Sequence, residues 1–419
     1  MTKGTSTGRS LDIGQAEWLR CSETQAVFAA LAAAGSEARA VGGAVRDALM
    51  GKPVREVDLA TPARPDAVMA AVTRAGLQAI PTGLKHGTVT VISGGRPYEV
   101  TTLRTDVETF GRHATVAFTD DWAADAQRRD FTFNALYCGA DGTVYDPLGG
   151  YGDLAARRVR FVGDARERIR EDYLRILRFF RFGAQVADGV LEAEPLGACV
   201  AEREGLGGLS AERVWSELKR LLVAPAMGPV LETMQSNGLL TGILGVAARV
   251  RHGAHLAAVE AALGVPASAA LRLAAIGMSV DEDAPRLQAR LRLSHAETAV
   301  LHRAVSEDVR DVHPDMEPRD AQRRLYRLGD HYAEAVRLAW ARSAAPVSSH
   351  DWLRLSGLPD RWPVPVFPLT GQDILALGFP SGPKVGRLLE EMEAWWLQHD
   401  FQPDRAKLLD ELKRRAADA

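Results

Sequence analysis

Three carboxylates behind a glycine turn are the residues best placed to do chemistry. Gly42-Gly43-Ala44-Val45-Arg46-Asp47 is followed by Glu56-Val57-Asp58-Leu59-Ala60-Thr61 and later by Tyr98-Glu99-Val100-Thr101-Thr102. A strand-like run at 38–41 ends in the two glycines, which permit a tight turn and close backbone approach to a ligand. Residues 45–50 read as a short helix closed by Gly51. Its unpaired N–H groups and positive dipole end favour a phosphate above the glycines. Strand side chains alternate, so Glu56 and Asp58 are expected on one face while Val57 and Leu59 enter a core. Glu99 joins them from a neighbouring strand. Mg²⁺ takes oxygen ligands in a near-octahedral array and keeps several waters, so two or three carboxylates on rigid strands suffice when substrate phosphates supply the rest. The pattern predicts Mg²⁺-assisted phosphoryl transfer. Glu56 and Asp58 hold the metal, Glu99 orients or deprotonates the nucleophile, and Gly42, Gly43 and Arg46 cradle a triphosphate.

The elements that must position these groups change character along the chain. From about Cys21 to Arg160, β-branched runs (88–92, 98–102, 115–118, 143–145) alternate with short helical stretches, the mark of an α+β unit with a small mixed sheet. Beyond Phe161 the pattern is helix after helix, rich in Ala, Leu, Arg and Glu with a period near 3.6. The prolines of 358–368 exclude a continuous helix and read as a linker or extended strap. The divisions expected are 1–20, 21–160, 161–245, 246–357 and 358–419.

The 419 residues allow several domains, and 46% hydrophobic with 25% charged residues is ordinary for a globular chain. A net charge of −3 excludes a uniformly basic coat, although local patches can still bind RNA. Cys21, Cys138 and Cys199 have no paired or metal-ligand spacing, so no disulfide is expected and a reducing compartment fits. Residues 1–10 are polar and small, and no apolar run reaches membrane-spanning length, which predicts a cytoplasmic protein with no membrane partner.

Further constellations fit the same chemistry. Within Gln127-Arg128-Arg129-Asp130-Phe131-Thr132-Phe133-Asn134, Asp130 and Asn134 are expected one helical turn apart beside two guanidinium groups, a clamp for ribose and triphosphate made with Arg129. Phe131 and Phe133 read as core. The run 160–181 holds seven arginines against four acids, and places Asp172 and Arg175 at i, i+3 on one helical face. A carboxylate accepting from an exocyclic amino group beside a guanidinium donating to a ring nitrogen would accept C and A and reject U and G. Ser210 reads as a helix N-cap, with Arg213 and Glu217 at i, i+4 in a scaffold role. Gly382-Pro383-Lys384-Val385-Gly386-Arg387 opens a helix whose first turn, with Lys384 and Arg387, could grip a phosphate backbone of RNA. His252 with His255, His350-Asp351 and His399-Asp400 lack the companions of a metal site and receive no role.

Taken in order, Gly42-Gly43-Ala44-Val45-Arg46-Asp47, Val57-Asp58-Leu59-Ala60-Thr61, Arg128 through Leu136 and Glu171-Asp172-Tyr173-Leu174-Arg175-Ile176-Leu177-Arg178 resemble the class II tRNA nucleotidyltransferase and bacterial poly(A) polymerase family. The resemblance covers about half of the chain, roughly 38–222. It implies a nucleotidyltransferase head followed by an all-α neck, body and tail, and CCA addition to tRNA from CTP and ATP. It also implies that Glu56 and Asp58 bind the catalytic metals with Glu99 as third acid, and that Asp172, Arg175 and Arg178 serve nucleotide recognition. The family usually carries Asp where this chain has Glu56, which implies a repositioned carboxylate and an altered metal preference. The stretch 103–116 looks like the family's mobile loop, and its Arg112 favours the complete CCA reaction. Poly(A) synthesis and non-catalytic RNA binding are the alternatives.

Overall fold

The computed structural model of the chain describes residues 13–110 and 113–417; Arg112, singled out above, lies outside them. Among the described residues the strands all fall before residue 146, and from Ala165 onward every regular element is a helix. The strands are β1 (Arg39–Val41), β2 (Asp58–Thr61), β3 (Gln78–Gly83), β4 (Thr88–Ser93), β5 (Arg96–Thr102), β6 (Arg104–Phe110), β7 (His113–Phe118), β8 (Tyr137–Cys138) and β9 (Val144–Tyr145). Seven form one mixed sheet in the order β3-β4-β5-β2-β1-β8-β9. Only β2 and β5 pair in parallel, because the helix Pro65–Arg74 and the β3–β4 hairpin carry the chain across between them. Their register sets Asp58 directly opposite Glu99.

Three strands escape the sequence reading for identifiable reasons. β3 contains Pro81 and sits at the sheet edge, where a missing N–H is tolerated. β8 is two residues long, too short to show a period. β6 falls in the 103–116 stretch, read as a loop, and pairs in a hairpin with β7, already marked by the β-branched run 115–118, apart from the main sheet.

The core follows the alternation of β4 and β5, while β2 is buried continuously from Leu59 to Thr61. Leu59, Val89, Val91 and Val100 are fully buried, each removing on the order of 2 kcal/mol of apolar surface from water. Phe131 and Phe133 are also fully buried, as expected. Phe131 lies 4.8 Å from Phe161 and 5.3 Å from Phe182, centroid to centroid. This aromatic cluster welds the 127–136 segment to the following helices. The helices that matter for the site are α1 (Gly43–Leu49), α2 (Ala165–Glu171), α3 (Leu174–Gln185) and α4 (Ala211–Leu222).

The chain divides into two compact units, one reaching Gly245 and including Arg290–Arg292, the other comprising Val246–Ala289 and Leu293–Ala419. The second unit is helical, with one core around the stacked Trp340 and Trp352 and another around Met392, Trp396 and Leu408. The proline-rich stretch begins with a single helical turn, Leu358–Arg361, and then runs without regular structure until Thr370. Phe367 and Leu369 pack into the second core, so the stretch behaves as a strap and not as a free linker. Cys21, Cys138 and Cys199 are free thiols. Among the described residues no helix is long and apolar enough to cross a membrane.

One close approach supports the segment that enters the site. A Cβ on Gly150 would stand 2.1 Å from the carbonyl oxygen of Thr132, so the helix Gly150–Ala155 buttresses the turn Thr132–Asn134 through bare backbone. Gly150→Ala should therefore lower stability by about 1–3 kcal/mol, read as a lower urea midpoint. An unchanged midpoint would show that the contact imposes nothing.

Candidate active site

A cleft of about 720 Å³ opens in the first unit against β1, α1 and α3. Arg46, Lys52, Arg55, Arg129, Arg178, Arg181 and Arg220 line it against Asp47, Glu56, Asp58 and Asp130. Seven cations facing four carboxylates, in a chain of net charge −3, focus a local positive potential suited to a ligand with several negative charges.

The floor is the turn from β1 into α1. Gly42 has φ +68°, a conformation that disfavours any side chain, and a Cβ there would stand 3.6 Å from the carbonyl oxygen of Asn134. Its own amide donates to Leu136 O at 3.1 Å and is therefore committed to the protein. Gly43 has an ordinary φ and no crowding beyond Arg46 Nη2 at 3.8 Å, so only the first glycine is conformationally required. Because α1 starts at Gly43, two residues earlier than the sequence suggests, the first amides of the helix have no intrahelical acceptor, and Gly43 and Ala44 line the cleft.

The acids are placed by different means. Asp58 opens β2 opposite Val41 on one side and Glu99 on the other. Glu56 lies outside the strand, because β1 ends at the level of Asp58 and leaves no partner for earlier residues. Strand alternation therefore does not set Glu56 beside Asp58, contrary to the sequence expectation. Glu99 faces the same side as Asp58 but is not part of the cleft lining. Among the described residues no group of three or more His, Cys, Asp or Glu is drawn together as a metal cage. The Asp58 carboxyl is pushed up to about 6, by desolvation first, then by the charges of Glu99 and Glu56, with Arg129 opposing. Residue by residue Asp58 remains open to the cleft. Water moderates the first cause, and the crowding of like charges is the part a bound cation would relieve.

The clamp is a continuous ladder of ion pairs and hydrogen bonds. Asp130 and Asn134 are not a turn apart on an α-helix, since Thr132–Asn134 is a 3₁₀ turn entered from extended Phe131. They still meet, Asn134 Nδ2 donating to Asp130 Oδ1 at 3.0 Å. Arg46 Nη1 donates to Asn134 Oδ1 at 2.8 Å, and its Nε to Asp47 at 2.9 Å. Arg178 Nε donates to Asp130 Oδ2 at 2.6 Å and its Nη1 lies 3.5 Å from Glu217. Arg181 Nε completes the ladder with Glu217 Oε2 at 2.5 Å. Burial works against the Asp130 charge, but Arg178 and Asn134 outweigh it and hold the carboxyl down at about 2. Arg181, desolvated and beside Arg178, falls to about 10 and stays protonated at neutral pH. Arg129 is anchored separately, by Asp125 at 3.0 Å and the Tyr137 hydroxyl at 3.3 Å. Asp130 and Asn134 thus spend their polar atoms mainly on holding Arg178 and Arg46.

Comparison with known proteins follows this geometry. Residues 38–160 match the family described as the Poly A polymerase head domain. The chain is 38% identical over 390 residues to the mitochondrial CCA tRNA nucleotidyltransferase 1 of Danio rerio, covering 90% of this chain and 87% of that protein. The Homo sapiens protein of the same name is 34% identical over 403 residues, with the same shares covered. The crystal structure of Bacillus stearothermophilus CCA-adding enzyme in complex with CTP superposes with a TM-score of 0.75 at 28% identity, covering 94% of this chain and 97% of that one. The chain belongs to the CCA tRNA nucleotidyltransferase family.

In this member of the family the residues expected to read the base are each engaged by other partners. Asp172 has φ −155° and breaks the chain between α2 and α3, so Asp172 and Arg175 do not share one helical face. Asp172 Oδ2 accepts from Arg213 at 2.6 Å and its Oδ1 from the Leu174 amide at 3.2 Å. Arg175 donates to Glu171 Oε2 at 2.5 Å and to the Arg168 carbonyl at 2.7 Å. Arg213 and Glu217 serve two different partners, and Ser210 precedes α4 without a side-chain cap bond. In the second unit, Lys384 and Arg387 are exposed on the first turn of the helix Pro383–Gln398, Lys384 standing 5.0 Å from the Phe379 ring. His255 Nδ1 lies 3.0 Å from the Ala341 carbonyl, in keeping with packing.

The sequence reading missed Arg181, Arg220, Lys52 and Arg55, and gave Glu217 a scaffold role beside Arg213 in place of its partner Arg181. A usable signal existed: Arg178 and Arg181, three apart and interleaved with Phe179, Phe180 and Phe182, require a buried acid from elsewhere. Glu217 is 5% exposed. Glu217→Ala should cost about 3–5 kcal/mol by leaving Arg181 uncompensated, measured by urea unfolding. A loss below about 1 kcal/mol would mean that Arg181 finds water instead.

Proposed function

We propose that this chain completes the 3′ end of tRNA, transferring CMP twice and AMP once and releasing pyrophosphate at each step. The observation that carries the reading is the strongly cationic cleft with Asp58 at its edge, in register with Glu99, within a chain of this family. The triphosphate lies over the amides of Gly43–Val45, beyond the Gly42 turn, with Arg46, Arg129 and Arg178 on its oxygens. Asp130 and Asn134 fix the positions of two of those guanidinium groups. Glu56 and Asp58 are suited to Mg²⁺, since their mutual repulsion with Glu99 leaves the Asp58 carboxyl hard to ionise without a cation. When bound, the ion supplies charge neutralisation at the triphosphate and acidifies the terminal tRNA hydroxyl. Glu99 orients that hydroxyl.

For Asp172 and Arg175 to read a base they must exchange Arg213 and Glu171 for its Watson–Crick edge. Residues 21–160 act as the head, 161–245 as the neck, 246–357 as the body and 358–419 as a tail in which Lys384 and Arg387 meet RNA. The three free thiols support a reducing, cytoplasmic setting. The match to the Poly A polymerase head domain supports a second reading, repeated AMP addition.

Incubating tRNA that lacks its last three nucleotides with labelled CTP and ATP should give a product longer by the three missing nucleotides. Long products from ATP alone would favour the second reading, and no incorporation would refute both. Asp58→Asn should lower incorporation by about a thousandfold, given several kcal/mol from the metal. Metal-free Asp58→Asn should also unfold at a higher urea midpoint than the wild type, because it removes a repelled charge. Unimpaired turnover in that variant would sink the assignment of Asp58.

A further inference from the structure

One buried carboxylate behind the cleft wall gathers more donors than the helix that carries it requires. Asp125 stands in the helix Trp122–Gln127, and its side chain is 1% exposed. Arg128 and Arg129 follow it at i+3 and i+4, so both guanidinium groups return to it. Oδ1 accepts from Arg128 Nε at 2.9 Å and from the amide of Arg104, which opens β6, at 3.3 Å. Oδ2 accepts from Arg129 Nη2 at 3.0 Å and from the Tyr137 hydroxyl at 2.8 Å. The Tyr137 oxygen accepts in turn from Arg129 Nε at 3.3 Å, which closes a triangle of Asp125, Tyr137 and Arg129. Burial works against the Asp125 charge, but Arg129 and Arg128 outweigh it and hold the carboxyl below its ordinary range. Burial, joined by the Asp125 charge, pushes the Tyr137 hydroxyl up, so it stays a donor at neutral pH.

The triangle is also fixed to the cleft floor. Tyr137 is fully buried, stands opposite Val41 in the pairing of β1 with β8, and packs edge-on against Trp122 with centroids 5.3 Å apart. From Val41 the chain runs straight into the Gly42 turn. Arg129 lines the cleft, and with Nε and Nη2 committed its remaining nitrogen is Nη1. Among the described residues Nη1 makes no hydrogen bond or ion pair, and a Cβ on Gly42 would stand 3.8 Å from it. A buried ion pair adds little stability over apolar side chains of similar volume, so the fold alone does not account for four donors on one carboxylate. What the cluster does is hold a planar fork at one angle, with its free nitrogen beside the glycine turn. We propose that Asp125, directly and through the Tyr137 hydroxyl, is the positioning residue that aims Arg129 at the triphosphate of the incoming nucleotide. The proposal rests on the reading of the cleft as the triphosphate site, and Asp125 itself acts only through Arg129.

The test uses the full chain. Tyr137→Phe keeps the ring and its packing and removes only the hydroxyl. It should raise the Kd for CTP with Mg²⁺, measured by calorimetry, about three- to tenfold, with the KM for truncated tRNA unchanged. Asp125→Asn, whose amide donors would face those of Arg129, should weaken CTP further; where it fails to fold, Tyr137→Phe alone decides. Inorganic triphosphate, which has neither base nor sugar, should lose affinity by the same factor as CTP. In an Arg129→Ala background Tyr137→Phe should change neither affinity, because the two residues act as a unit. Unchanged CTP affinity in Tyr137→Phe, or an equal loss with and without Arg129, overturns the proposal in favour of a cluster that serves the fold alone. A loss for CTP that spares inorganic triphosphate also overturns it, since Arg129 then holds another part of the nucleotide. A wild-type chain that binds no CTP overturns both this proposal and the proposed function. One that binds CTP but adds nothing to tRNA refutes the proposed function alone, and a weakened CTP affinity in Tyr137→Phe then still supports the positioning role.

Discussion

Charge compensation inside the cleft is the constraint on which the rest depends. Arg46, Arg178 and Arg181 are drawn into a half-buried space by Asp47, Asn134, Asp130 and Glu217, in one ladder of contacts from α1 to α4. None of these cations could sit there alone, since desolvating a guanidinium costs several kcal/mol unless a partner offsets it. Held in pairs, they keep their charge and lose their freedom. Any anion entering the cleft would meet donors whose side-chain entropy has already been spent in folding. The aromatic cluster of Phe131, Phe161 and Phe182 fixes the spacing between the two segments that carry the ladder.

The acids obey the opposite logic. Asp58, Glu99 and Glu56 repel one another, and only the hydrogen-bonded register of β2 with β5 keeps the first two side by side. The sheet sustains a local electrostatic cost of the kind a divalent cation would relieve, so the arrangement is stable as scaffold and strained as electrostatics. The parallel pairing of β2 and β5 is therefore more than topology: an antiparallel pairing would change which residue of β5 faces Asp58.

Much of the site was legible because its parts are local. Gly42, Asp58, Arg129, Asp130 and Arg178 each fall on the cleft, and the shift from an α+β start to an all-helical remainder follows from periodicity. The errors occur where a distant partner overrides a local pattern. Residues 172 and 175 stand at helical spacing, yet the chain bends at Asp172 and Arg213 takes its carboxylate. Arg213 and Glu217 look like an intrahelical pair and instead reach Asp172, in the break between α2 and α3, and Arg181 in α3. Gly42 reads as a free phosphate-binding amide and is bonded to Leu136.

The amino-acid order by itself determined the class of chemistry and the order of motifs, because side-chain type and short-range spacing need no partner. Only the tertiary structure decided which acid compensates which arginine, that Glu56 lies beyond the strand, and that Asp172 and Arg175 are engaged by Arg213 and Glu171. Those outcomes depend on burial and on contacts between residues far apart in the chain, and a buried charge is settled by whichever opposite charge the fold brings within reach.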